Sequence, residues 1–399
     1  MAEGETTRFD TLRCALAIAA PVALYSNLTQ YAEAALGGPK PLFLVIAIVG
    51  GAIGAVATEP HRPSKLLRSP LLLWCYLYLL LTTAWGIWRW NVGGPTDQAI
   101  ADRYRCVAFL VAMAIAFDDG RARRLGRIAV VGVALFTSCV TIAESAGVLV
   151  FDDSLHRTLG RAAGFYVNPN LAGLAITFGL AVGISVVPRV ARIPVLLVGA
   201  AGIAATFSRG ALLCLAVLVA FLLWRKELNP LWTAVAVAGV ALWLAFNGGS
   251  LEAMLDTSGV LNRDTLARLS MEADDSGRVA LARKVWHMYL DSPWVGQGLA
   301  TERAGRISHN IYLSLAAEHG VLGILAYPAL LVAIAWRHRR AVGVALVFLL
   351  AGFFSHNLLE DESALLCLAL AAARPLGATS EREVPAAAPS EARVEQAQA

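Results

Sequence analysis

Three arginines and a histidine carry the chemistry that residue type and spacing allow in this chain of 399 residues. Arg161 stands in RAAGFYVNPNLAG, Arg209 in TFSRGALL, Arg278 in SGRVALARKVW and His309 in SHNIYLSLAAEHGVLG. A guanidinium is a rigid fork of N–H donors that matches the oxygens of a phosphate. An imidazole exchanges a proton near neutral pH. Phosphate binding together with proton transfer is therefore the chemistry within reach. The tripeptide Ser-His-Asn occurs twice, at 308–310 and 355–357, but only the first copy is followed by Gly-x-x-Gly, at Gly320 and Gly323.

Each of these residues also has a purely structural reading. Arg209 lies between two apolar runs with almost no loop, where an arginine can snorkel to the surface. Asn168 and Asn170 flank a proline where a helix starts, so both suit capping. A histidine at a membrane edge, His356 included, can simply pack. The carboxylates at Asp152, Asp274 and Glu360 to Glu362 form no Asp-x-Asp pattern, and no His-x-x-x-His is present. They read as structural or solvated groups, and neither a metal nor another cofactor is expected.

The elements that position these groups are membrane helices. The chain is 57% hydrophobic and 16% charged, with a mean hydropathy of +0.61. Soluble domains are about one quarter charged. Twelve apolar segments approach the length needed to cross a bilayer: 12–28, 41–58, 70–90, 104–117, 127–151, 170–187, 193–207, 210–224, 230–247, 311–336, 341–358 and 362–376. The first reads as a retained helix and not a cleaved signal, because further apolar segments follow. Residues 1–247 then hold helices one to nine and 309–376 hold helices ten to twelve. Residues 248–308 form one long loop, in which 274–299 reads as an amphipathic helix anchored by Val279, Val285, Trp286 and Tyr289. Residues 377–399 form a disordered tail rich in Ala, Pro and Glu.

Lys and Arg crowd alternate short loops along the whole chain, which places both termini in the cytoplasm and the long loop outside. Trp85, Trp88 and Trp90 read as interfacial anchors. The arginines above then share the outer face with Arg103, Arg105 and Arg157, against the usual bias. A basic membrane edge suits a lipid-linked phosphate or pyrophosphate. Nucleic acid does not fit, because that face is extracytoplasmic and has no long basic stripe. The six cysteines lie in or beside apolar runs without a CxxC pair, and read as small core or lipid-facing residues.

His309, Asn310, Gly320 and Gly323 resemble the signature of bacterial O-antigen ligases. The motifs around Arg161, Arg209 and Arg278 resemble those of the wider ligase and polymerase superfamily, and they occur in the expected order over about 155–325. The resemblance implies an all-α, polytopic GT-C-type glycosyltransferase of the bacterial inner membrane, with its active site on the periplasmic side. It implies transfer of a polysaccharide from undecaprenyl pyrophosphate to a sugar of lipid A–core, inverting and without a metal. By position, His309 matches the essential histidine, and Arg161, Arg209 and Arg278 match the pyrophosphate arginines. Asn168, Asn170, Asn310, Arg157 and His356 are left as supporting candidates. Neighbouring arginines favour a neutral His309, the form that accepts a proton from an acceptor hydroxyl. An O-antigen polymerase and a protein oligosaccharyltransferase share these motifs. A twelve-helix transporter fits less well, because no two similar halves are visible.

Overall fold

The computed structural model describes residues 8–38, 41–57, 69–92, 95–151, 161–239, 278–301, 308–336 and 341–373. Among them every regular element is helical. The α-helices are α1 Arg8–Ala20, α2 Leu28–Leu36, α3 Pro41–Ala57, α4 Pro70–Trp88, α5 Thr96–Ala116, α6 Gly120–Ser145, α7 Pro169–Gly183, α8 Arg189–Ala205, α9 Arg209–Trp224 and α10 Pro230–Gly239. They continue with α11 Arg278–Asp291, α12 Ile311–His319, α13 Val321–Ala335, α14 Ala341–Ala351 and α15 Glu362–Ala372. A π-type turn, Pro21–Tyr25, extends α1. Arg157, the tail and most of the long loop, 248–277 and 302–307, lie outside the described residues.

Among the described residues, three spans are long and apolar enough to cross a membrane: Pro70–Trp88, Gly120–Ser145 and Pro169–Val186. A fourth is the pair Thr11–Tyr25 and Leu28–Leu36, bent by 48°. Several shorter apolar helices accompany them. The chain is therefore a helical membrane protein.

Helix α7 is the axis of the fold. A helix apolar on every side must be surrounded, and α7 is buried at every position from Ala172 to Gly183. It packs against α6, α8, α9, α14 and α15. The hydroxyl of Tyr25 donates to Ala175 O, and that of Tyr166 donates to Tyr25 O, which ties the π-type turn to α7.

The run 311–336 is two helices and not one. Gly320 takes φ +67, which only glycine adopts freely, and it ends α12. A Cβ on Gly320 would lie 2.4 Å from Trp294 C, and one on Gly323 would lie 1.9 Å from Leu315 O. The Gly-x-x-Gly therefore lets the chain break and lets α13 start against the backbone of α12. The loop after α11 seals the break: Gln297 N donates to Ala317 O at 2.6 Å and Val321 N to Pro293 O at 2.8 Å. Trp85 donates from Nε1 to Val295 O at 2.6 Å, so it holds this loop, while Trp88 and Trp90 are exposed.

Two further sequence readings change. Helix α11 buries Val285 alone of its four expected anchors; Val279 and Trp286 are exposed and Tyr289 is half-buried. The helix packs along α12 by one narrow edge. Helix α14 ends at Ala351, so 352–361 is a non-helical link and not the end of a span. Backbone N–H groups of the link cap the last turn of α14: Gly352 N donates to Phe348 O at 3.0 Å and Phe353 N to Leu350 O at 3.1 Å. Tyr327 adds a second donor to Phe348 O at 2.9 Å, and Tyr312 donates to Leu349 O at 2.5 Å.

Candidate active site

The motif segments all do the same local job: each starts a helix. Asn168 caps α7, with its Oδ1 accepting from Asn170 N at 2.9 Å. Ser208 stands at the N-cap of α9 without a side-chain bond. Asn310 caps α12, with its Oδ1 accepting from Tyr312 N at 3.0 Å and Leu313 N at 3.2 Å. The residue before each cap is left-handed: Val167 at φ +59, Phe207 at +50 and His309 at +53. Such a φ is uncommon outside glycine, and for a β-branched valine it is an outlier that clusters at functional sites.

The three helix starts lie at one end of the bundle. A Cβ on Gly173 of α7 would lie 3.0 Å from both Ser208 Cβ and Thr206 Oγ1. A Cβ on Gly210 of α9 would lie 2.8 Å from the Phe354 ring. Ile311 N, at the head of α12, donates to Gly352 O at 2.9 Å and to Ser355 O at 3.1 Å. The link 352–355 thus joins the starts of α9 and α12.

Arg161 is held from two sides. Its Nε donates to Thr206 O at 2.9 Å and its Nη2 to Asn170 Oδ1 at 3.0 Å. Asn168 therefore caps, as its type predicts, while Asn170 also orients an arginine. Glu144 of α6 accepts from Ala163 N and Gly164 N at 3.0 and 2.7 Å and fixes the same segment. Arg209, the first residue of α9, is exposed and has no ion-pair partner among the described residues. Arg278 is the first residue of α11, and its backbone alone is described.

The two Ser-His-Asn copies meet. The rings of His309 and His356 lie 5.3 Å apart, centre to centre, at 74°. Both are half-buried. Nδ1 of His356 is buried without a hydrogen-bond partner among the described residues. Burial first, then the nearby His309, pushes His356 down to about 4; Arg103 adds to this and Glu360 opposes it. At neutral pH His356 is thus uncharged.

Behind the pair lies an ion cluster in which Arg103 and Glu318 are buried and Glu360 is half-buried. Arg103 of α5 reaches Glu318 of α12 at 3.1 Å and Glu360 of the 352–361 link at 2.9 Å. Glu318 Oε1 also accepts from Ala300 N at 3.1 Å. Asp361 caps α15 through Ser363 N at 2.7 Å. No group of metal-ligand side chains stands together among the described residues. An apolar groove of about 640 Å³ runs beside α1 and α6, lined by Ile18, Val22, Ile128 and Phe136 among others. Phe165, in the Arg161 segment, is part of its lining.

Residues 194–328 match the family model described as O-antigen ligase. The match covers about a third of the chain and supports membership of the O-antigen ligase superfamily. Members of that family are glycosyltransferase-like enzymes of lipopolysaccharide biosynthesis. No curated protein matches the chain. The matched span holds Arg209, Arg278, His309, Gly320 and Gly323, while Arg161 and His356 lie outside it. The fold brings those two to the matched segments: Arg161 by the contact of the α7 and α9 starts, His356 by the link that packs on α9 and α12.

Proposed function

We propose that the chain is the ligase that transfers polysaccharide from undecaprenyl pyrophosphate to a sugar of lipid A–core. It works at the periplasmic face of the bacterial inner membrane, as a GT-C-type enzyme of about twelve spans with both termini in the cytoplasm. The observation that carries this reading is the meeting of three motif helix starts beside His309. A helix start favours an anion through its free N–H groups and its dipole. That of α9 lacks a side-chain cap and bears the exposed Arg209. The apolar groove that Phe165 helps to line offers a lipid-linked anion a path toward the Arg161 segment.

In this mechanism Arg161, Arg209 and Arg278 hold the pyrophosphate. An acceptor hydroxyl oxygen attacks the anomeric carbon from the face opposite the phosphate, so configuration inverts. The bond from that carbon to the phosphate oxygen breaks, and its electron pair leaves with the pyrophosphate. The hydroxyl proton moves to His309. Guanidinium groups fixed before the reaction stabilise the departing charge, which makes a metal unnecessary.

Deleting the gene and separating lipopolysaccharide on a gel tests the reading. Lipid A–core without a ladder, with lipid-linked polymer accumulating, is the expected result. Core bearing a single repeat unit identifies a polymerase instead, and unchanged lipopolysaccharide with lost glycoprotein identifies a protein oligosaccharyltransferase. The pyrophosphate role of Arg209 has its own test. Arg209→Ala is expected to lower turnover by roughly 10²-fold, and Arg209→Lys to restore only part of it, because an ammonium does not grip two oxygens at once. Wild-type donor binding and turnover by Arg209→Lys would exclude a bidentate contact there.

A further inference from the structure

His356 lies outside the matched span, yet its ring packs edge to face on His309. Among the described residues, the charged or titratable groups that act on it are His309 from the segment before α12, Glu360 from its own link and Arg103 from α5. Arg103 ties Glu360 to Glu318 of α12, so the link that carries His356 and the helix that follows His309 are locked to one guanidinium. Ile311 N, two residues after His309, is bonded to Ser355 O, one residue before His356. The two rings are therefore fixed relative to each other by backbone as well as by contact.

We propose that His356 is a positioning residue that sets the ring plane of His309 and joins it to the Glu360–Arg103–Glu318 cluster. This rests on His309 being the base. When His309 takes the acceptor proton it becomes a cation in a partly desolvated place, beside the arginines that hold the donor. His356 stays neutral, adds no like charge, and presents a polarisable ring. Behind it stand two carboxylates and one guanidinium, so the net charge favours the imidazolium. No proton travels beyond His309.

The test is the pH dependence of kcat/KM for purified full-length protein with lipid-linked donor and lipid A–core. Wild type, His356→Phe, His356→Gln, Glu360→Gln and His309→Asn are compared. The neutral form of His309 is active, so the rate falls on the acid side as that group gains its proton. Losing His356 or the Glu360 charge makes the imidazolium less stable, which moves this acid limb to lower pH. His356→Phe is expected to lose about 10- to 100-fold in rate through misplacement of the base, with the limb shifted down and partial recovery in His356→Gln. Glu360→Gln, which leaves both rings in place, is expected to shift the limb the same way. Wild-type rate and profile in His356→Phe overturn the proposal. So does an unmoved limb in Glu360→Gln, which decides the matter alone if the His356 variants do not fold. Wild-type transfer by His309→Asn sinks the base reading itself, a different failure.

Discussion

His309→Asn is expected to lower polysaccharide transfer by about 10²- to 10⁴-fold, the usual share of a general base, while the protein stays folded. The choice of asparagine follows from the backbone. At φ +53 the chain tolerates asparagine several times better than other side chains, so the loop survives the change. Alanine would remove the imidazole and strain the turn together, and a lost activity would then have two causes. Asn310 keeps its two capping bonds in either variant, because they come from its own side chain. The measurement is single-turnover transfer in detergent or nanodiscs, with thermal unfolding as the control. Near-normal transfer at wild-type stability would remove His309 from the chemistry and leave the arginines to carry the rate alone.

Arg103→Met is expected to destabilise the protein by about 3–5 kcal/mol, the cost of stripping one partner from a buried ion cluster. The side chains of Arg103 and Glu318 are 10% and 7% exposed, so the abandoned Glu318 carboxylate has little access to water. Glu360 is 31% exposed and water can compensate it in part, so most of the loss belongs to Glu318. The double variant Arg103→Met/Glu318→Gln should recover a large fraction, since it removes the stranded charge. Thermal unfolding of the three proteins in one detergent reads the difference. A melting temperature for Arg103→Met equal to that of wild type would show that the cluster is solvated and not structural.

Much of this site is legible in the sequence because its parts are local. A cap, a proline at the first turn and an arginine beside them lie within a dozen residues, as in RAAGFYVNPN. Hydropathy marks α4, α6 and α7 for the same reason. What stays hidden is long-range pairing. Nothing near Arg103 points to Glu318 or Glu360, more than 200 positions away, and no local signal brings His356 to His309. The second Ser-His-Asn lacks the glycines of the first and reads as structural, yet the fold places its ring against the other. Amphipathic patterning overstates α11, because a membrane surface accepts apolar residues that a soluble core would have to bury. The glycine pair that breaks 311–336 is visible as a motif, but an unbroken apolar run conceals that it divides a helix.

The left-handed residues at 167, 207 and 309 have one more consequence. Glycine is the inexpensive solution at such a position, and none of the three is glycine. A valine or phenylalanine there costs local stability, of order 1–3 kcal/mol each, but it leaves the chain fewer alternative conformations than glycine would. The site trades strength for definition: each helix begins from a junction that is hard to make and hard to bend. Substitution at these junctions is therefore screened twice, once by whether the backbone can adopt the turn and again by what the side chain does. A variant library scored by folding alone would favour glycine at 167 and 207, and the same library scored by transfer would reject it.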